Sequence, residues 1–96
     1  MIEQRKNQRF DLRLPFEILR GAKVKVTGET KNVSSTGVLF VAEAPVGIGD
    51  PIEYVITFPK APKARNPVKL RCVGKVIREE QSFYAASLER YEFIRG

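Results

Sequence analysis

The sequence contains no histidine, no tryptophan and a single cysteine, Cys72. Without histidine the chain lacks the commonest general base and a common neutral metal ligand. One cysteine excludes an intrachain disulfide and a thiolate metal cluster, and it indicates a reducing compartment. Cys72 follows the apolar alternation of its segment, so it is predicted to be a small buried hydrophobic residue. With no paired catalytic carboxylates and no serine–histidine pair, neither an enzyme nor a metal protein is predicted.

Long apolar runs are absent as well. No stretch is long enough to cross a bilayer, which takes about 18 apolar residues, so no membrane span is expected. The N-terminal residues are polar and charged, so no secretory signal peptide is expected and a cytoplasmic location is predicted. The chain instead has a net charge of +6 over 96 residues, with a hydrophobic content of 43%. That size predicts one domain with a modest core, and the charge favours an anionic partner.

Alternation of apolar and polar residues runs through most of the chain after residue 11. It predicts six strands, within residues 12–18, 23–27, 38–43, 52–58, 68–76 and 83–88. Turn signals separate them at Gly21 and at residues 34–37, 45–50, 59–67 and 79–82. Short strands at this spacing are typical of an antiparallel barrel or sandwich, and closure into a barrel removes exposed edges. The predicted fold class is therefore all-β, a six-stranded antiparallel β-barrel.

The two ends of the chain and two glycines carry separate predictions. Residues 1–11 show no regular pattern and are predicted to form a flexible N-terminal arm, with 12–96 as the barrel domain. Residues 91–96 are predicted to form one terminal turn or to fray. Gly28 and Gly74 lie inside strand patterns, where glycine marks a bulge, a bend or a close backbone approach.

Two short clusters carry most of the functional information. Arg5 and Arg9 form R-x-x-x-R, and Asn32, Ser34 and Gly37 form N-x-S-x-x-G. A guanidinium group bonds phosphate oxygens bidentately, reaches the O6 and N7 atoms of guanine and stacks on a purine ring. Strand alternation puts the amide of Asn32 and the hydroxyl of Ser34 on the same sheet face. Glycine permits a positive φ or a close approach to a ligand. Together these groups can hold a phosphate and read a purine edge.

With these motifs in this order, the sequence resembles the PilZ domain family. The signature of that family is R-x-x-x-R followed by D/N-x-S-x-x-G on a six-stranded antiparallel barrel. Residues 74–78 look like its penultimate strand, and residues 85–88 look like its last strand. The resemblance extends from about residue 4 to about residue 90. Position 32 is asparagine, where the family more commonly has aspartate.

The resemblance implies a bacterial receptor domain that binds the second messenger cyclic di-GMP. The ligand-binding residues that it implies are Arg5, Arg9, Asn32, Ser34 and Gly37, and the secondary candidate contacts are Gln4, Lys6 and Ser35. The arginines are expected on guanine faces and phosphates, and the asparagine and serine against a guanine edge and the neighbouring phosphoribosyl groups. The arm is expected to fold over the ligand and to change the surface shown to a downstream protein partner.

Two other functions remain open at this point. One is a small basic barrel that binds single-stranded nucleic acid. Its stacking platform would be thin, because the nine aromatic residues (six Phe and three Tyr) lie mostly at core-facing positions. Nucleic acid is therefore not the expected partner. The other is a barrel that keeps the motif but acts only as a protein-docking module, independent of any nucleotide.

Overall fold

The computed structural model describes residues 10–21, 23–59 and 67–95. These residues form seven strands and no helix. The strands are β1 (Pro15–Arg20), β2 (Lys23–Val33), β3 (Gly37–Ala42), β4 (Pro51–Phe58), β5 (Val68–Glu80), β6 (Phe83–Ser87) and β7 (Arg90–Arg95). Within this part of the chain, nothing could cross a bilayer as a helix. Most of the predicted 59–67 connection lies outside the described residues.

Six of the strands close into an antiparallel barrel. The hydrogen-bonded order is β4-β1-β2-β3-β6-β5, and a further β4–β5 pairing completes the ring. β5 closes the ring because this strand of 13 residues is long enough to pair with two other strands of the ring, β4 and β6. Residues 68–75 pair with β4, and the pairing with β6 begins at Val76. The predicted six-stranded antiparallel barrel is confirmed.

Aromatic rings occupy the centre of the core. The ring centroids of Phe16 and Phe40 are 4.1 Å apart, and those of Phe16 and Tyr54 are 5.2 Å apart. Tyr54 is fully buried, and its hydroxyl donates to the carbonyl oxygen of Ser87 at 2.9 Å. This bond satisfies the polar end of the ring, and burial raises the pKa of the Tyr54 phenol. Cys72 is also fully buried, as the alternation predicted.

The C-terminal segment is a strand, so the prediction of a terminal turn or fraying was wrong. β7 pairs with residues 68–73 of β5, alongside the barrel. Its Tyr91 and Phe93 rings are 60% and 63% exposed. The strand is therefore held by backbone pairing with β5 rather than by a buried apolar face, and apolar patterning is a poor guide to such a strand.

Several strand boundaries also differ from the prediction, most of all in β2, which continues to Val33 instead of ending at residue 27. The first strand begins at Pro15 rather than at residue 12, and the side chain of Leu12 is 37% exposed instead of facing the core. β5 continues to Glu80, so the turn before β6 contains only residues 81 and 82 rather than 79–82. Ladder hydrogen bonds with β6 hold the last two residues of β5 in the strand despite their polarity.

Gly28 and Gly74 show the close backbone approach that their positions predicted. A Cβ at Gly28 would lie within 3.0 Å of the carbonyl oxygen of Val41, and a Cβ at Gly74 within 3.0 Å of that of Ser87. Real Cβ atoms essentially never approach a heavy atom so closely. Any larger residue at these positions must push two strands apart.

Replacement of Gly74 by alanine should therefore destabilise the barrel. The obstructing atom belongs to the backbone and cannot rotate away, so we expect Gly74→Ala to lower the free energy of unfolding by at least about 1–3 kcal/mol, as overpacking does. The matched control is Gly47→Ala, where the new Cβ would meet only the carboxylate of Asp50, a flexible side chain. Urea unfolding measures both. Equal stability of the two variants would contradict the close contact between β5 and Ser87.

The burial of Cys72 predicts an unreactive thiol. Burial raises its pKa to about 12, whereas an exposed cysteine has a pKa near 8.5. At pH 8 the native thiol therefore stays protonated, and only the unfolded chain presents thiolate. We expect iodoacetamide to label the native protein slowly, with a rate that rises through the urea unfolding transition. Rapid labelling of one thiol in the native protein would contradict this.

Candidate ligand-binding site

The N-x-S-x-x-G segment begins at a bulge in β2. Lys31 and Asn32 together face Leu39 of β3, where regular pairing would place one residue. On either side of them Thr30 and Val33 are buried, at 2% and 8% exposure. The extra residue lets both Lys31 and Asn32 turn away from the core, and both are half-buried.

Ser34 follows β2 and opens the turn to β3. Its backbone N–H donates to the carbonyl oxygen of Gly37 at 2.9 Å. Its hydroxyl lies 3.3 Å from the same oxygen and 3.3 Å from the backbone nitrogen of Thr36. Both distances are long for hydrogen bonds of a hydroxyl group. The hydroxyl is therefore loosely held and available to a better partner. Ser35 is exposed in the same turn.

Gly37 begins β3, and the barrel itself explains why no side chain is present. A Cβ at Gly37 would lie 2.7 Å from the carbonyl oxygen of Ala86 on β6. Positive φ, one of the two predicted reasons for this glycine, is not used here; within the described residues it occurs at Gly21, Gly49 and Gln81. The other predicted reason was a close approach to a ligand; in this structure the backbone of Gly37 closely approaches the neighbouring strand β6.

Asn32, Ser34 and Gly37 line one hollow of about 180 Å³ on the outside of the barrel. The hollow extends across β2, β3, β6 and β5. Its other lining residues include Leu39, Ala85, Ile77 and Arg78. The structure thus brings the amide of Asn32 and the hydroxyl of Ser34 to one place, as strand alternation predicted.

One cation that was not among the predicted site residues lines this hollow, and a second is the sequence neighbour of Asn32. Arg78 lines the hollow, and its Nε donates to Oε2 of Glu80 at 2.6 Å. Lys31, next to Asn32, holds its Nζ 4.4 Å from the centroid of the Phe83 ring. The sequence contains a signal for each of them: Lys31 directly precedes the N-x-S-x-x-G motif, and Arg78 ends the 74–78 segment. Neither signal shows which face of its strand the residue occupies.

The leading segment of the chain joins the barrel beside this hollow. The N–H of Phe10 donates to the carbonyl oxygen of Val33 at 2.8 Å, and the N–H of Val33 donates back to that of Phe10 at 2.9 Å. Pairing therefore begins two residues before the predicted start of the barrel domain. It holds Phe10 against the backbone that joins Asn32 to Ser34.

A buried hydroxyl anchors the next residues. Thr30 Oγ1 accepts a hydrogen bond from the N–H of Leu14 at 2.8 Å and donates to the carbonyl oxygen of Leu12 at 2.5 Å. The Thr30 N–H also donates to the carbonyl oxygen of Leu14 at 2.9 Å. One side chain thus satisfies two backbone groups of a segment that belongs to no strand.

The predicted arm residues Arg5, Arg9, Gln4 and Lys6 lie outside the described residues. Their contacts with a ligand stay predictions.

A larger hollow, of about 650 Å³, lies elsewhere on the barrel and contains none of the motif residues. Arg20, Lys25 and Arg90 line it together with Asp50 and Glu53. These three cations and two carboxylates give the lining a net positive charge, but it contains no group of either sequence motif. The motif residues, rather than volume or charge, therefore select the smaller hollow as the candidate site.

A comparison with known protein families matches the PilZ domain over residues 3–90. The chain belongs to the PilZ domain family. The match covers nearly the whole chain and confirms the resemblance found in its motifs. PilZ domains are a known family of cyclic di-GMP receptors, a binding family rather than a catalytic one. Searches of curated proteins and of solved structures found no match.

Loss of the Thr30 hydroxyl should loosen the start of this PilZ domain. Thr30→Val keeps the shape but removes the partner of two backbone groups, so we expect the free energy of unfolding to fall by about 1–3 kcal/mol. The matched control is Thr27→Val on the same strand, where the exposed hydroxyl donates to Oε1 of Glu43 at 2.7 Å. Urea unfolding compares the two. A control variant as unstable as Thr30→Val would contradict the anchoring role.

Proposed function

We propose that this PilZ domain binds cyclic di-GMP at the hollow lined by Asn32, Ser34 and Gly37, and that the N-terminal arm completes the site. One observation carries the proposal. Phe10, the residue directly after Arg9, is paired with Val33, and Val33 lies between Asn32 and Ser34. The residue that follows Arg9 is therefore held beside Asn32 and Ser34, which supports the proposal that the two halves of the motif act at one place.

Covalent geometry limits the distance from Arg9 to this surface. Its Cα is about 3.8 Å from that of Phe10, because neighbouring Cα atoms are separated by that distance. A guanidinium on a side chain of arginine length can reach a ligand over the hollow from there. Four residues extend over at most about 14 Å, so Arg5 remains within reach of a dinucleotide held at the same place.

The hollow is too small to be the whole site. Its volume of about 180 Å³ is below the range of roughly 300–1,000 Å³ typical of small-molecule pockets. A ligand with two bases and two phosphates would protrude from it. The arm is the segment attached beside the hollow, so it is the natural cover. If the arm covers the hollow only when ligand is bound, the outer surface of the domain changes on binding. A downstream protein partner can recognise that change.

The chemistry of the described residues suits this ligand. The Asn32 amide can accept from a guanine N–H and donate to a carbonyl. The hydroxyl of Ser34, with its long internal contacts of 3.3 Å, can be recruited by a phosphate oxygen. Arg78 lines the hollow and Lys31 is the sequence neighbour of Asn32, so two cations are close enough to serve a doubly anionic guest.

Calorimetric titration with cyclic di-GMP tests the proposal. We expect the wild-type chain to bind and Arg9→Ala to weaken binding roughly 10- to 150-fold, because a charge-assisted hydrogen bond contributes about 1.5–3 kcal/mol. Ser34→Ala, which removes a neutral group, should cost about 2- to 12-fold. The matched controls, Arg20→Ala and Ser82→Ala, lie away from the hollow and should leave the affinity nearly unchanged. Binding should weaken as salt is raised.

Two outcomes contradict the proposal. No binding by the wild-type chain would exclude the receptor function, and equal affinities for Arg9→Ala and Arg20→Ala would exclude the arm from the site. Titration with a single-stranded oligonucleotide covers the nucleic-acid alternative. A steep salt dependence without competition by cyclic di-GMP would favour that alternative.

A further inference from the structure

We propose that Arg78 is an additional phosphate-binding residue of this site, and that a ligand phosphate replaces Glu80 as its partner. The inference rests on the proposed cyclic di-GMP function and extends it to a residue outside the two sequence motifs. It assigns to Glu80 the role of an internal anion that holds Arg78 until a ligand binds.

The geometry of β5 places Arg78 at the hollow. Val76 pairs with Ala86 and Arg78 pairs with Ala85, so a bulge adds one residue between them. Val76 is buried, at 1% exposure, whereas Ile77 and Arg78 after it both line the outer hollow. The bulge therefore turns Arg78 to the same surface as Asn32.

The pairing register defines the floor between them. Leu39 of β3 and Ala85 of β6 lie between Asn32 and Arg78, and Gly37 lines the hollow beside them. A ligand lying over these residues would have Asn32 on one side and Arg78 on the other. Ile77, which is 53% exposed, lines the hollow next to Arg78 and offers an apolar surface to a base.

The partner that Arg78 now has is easily exchanged. The side chains of Arg78 and Glu80 are 50% and 51% exposed, and exposed ion pairs of this kind contribute little to stability. Both lie on one strand, two residues apart, so breaking the pair separates no elements of the fold. A phosphate can offer the guanidinium fork two oxygens at once, which is a stronger arrangement.

A second arginine–glutamate pair shows that such a contact alone does not make a binding residue. Arg71 contacts Glu53 and is 40% exposed. That pair lines a different hollow, together with Arg90 and Tyr91 and without any motif residue. Arg71 is thus matched to Arg78 in charge, strand and partner type, and differs in what lies around it.

The test is a titration of the whole chain with cyclic di-GMP at one fixed salt concentration of about 0.15 M, where the Debye length is about 8 Å, with Arg78→Gln, Glu80→Gln and the controls Arg71→Gln and Glu53→Gln. We expect Arg78→Gln to weaken binding about 10-fold or more, as loss of a charge-assisted bond does. Glu80→Gln should tighten binding severalfold, because it frees the guanidinium. The two controls change the net charge equally and should shift affinity less than about two-fold, as exposed distant charges are screened.

The outcomes separate this inference from the function on which it rests. If the wild-type chain does not bind, the proposed function fails. If it binds and Arg78→Gln behaves like Arg71→Gln, the function stands and the role of Arg78 is overturned. If urea unfolding shows that Arg78→Gln is unstable, Glu80→Gln provides the test instead. An affinity of Glu80→Gln for cyclic di-GMP no higher than that of Glu53→Gln would also overturn the proposal.

Discussion

Closure of a small barrel by direct backbone contact is the constraint on which the rest of this structure depends. Six strands form a ring whose members touch so closely that a Cβ at Gly28, Gly37 or Gly74 would collide with a carbonyl oxygen of a neighbouring strand. A ring of this size requires tilted and bent strands. The bending is concentrated at irregular positions, since the pairing register shifts once in each of the β1–β2, β2–β3 and β5–β6 pairs.

Two of these irregularities build the candidate site. The bulges of β2 and β5 lie on opposite sides of the β3–β6 pair, and each adds a residue that turns outward. Asn32 and Arg78 reach one surface for this reason, although they belong to strands that do not pair with each other. Leu39 and Ala85 lie between them, and beside these residues Gly37 has no side chain because its backbone closely approaches that of Ala86. The hollow is thus a consequence of how the ring closes, and the binding surface and the fold cannot be altered independently there.

The sequence was sufficient for the fold class, because alternation with a period of two reports directly which side chains face the core. It was also sufficient for the grouping of Asn32, Ser34 and Gly37, because a strand end and a turn keep neighbours together. It could not reveal β7, whose exposed Tyr91 and Phe93 owe their placement to pairing with β5. Nor could it reveal Arg78, since a bulge changes the face of every residue after it without changing composition.

The charges at the hollow bear on which anion it would accept. Arg78 is held by a carboxylate at 2.6 Å and Lys31 by an aromatic ring at 4.4 Å. A single weak anion gains little from displacing Glu80, because it replaces one exposed ion pair by another of similar strength. A ligand with two phosphates and two purines gains at several points together, and each added contact is intramolecular once the first has formed. If the proposed ligand binds here, the internal partners of Arg78 and Lys31 disfavour simple anions, because several new contacts are needed to offset their loss.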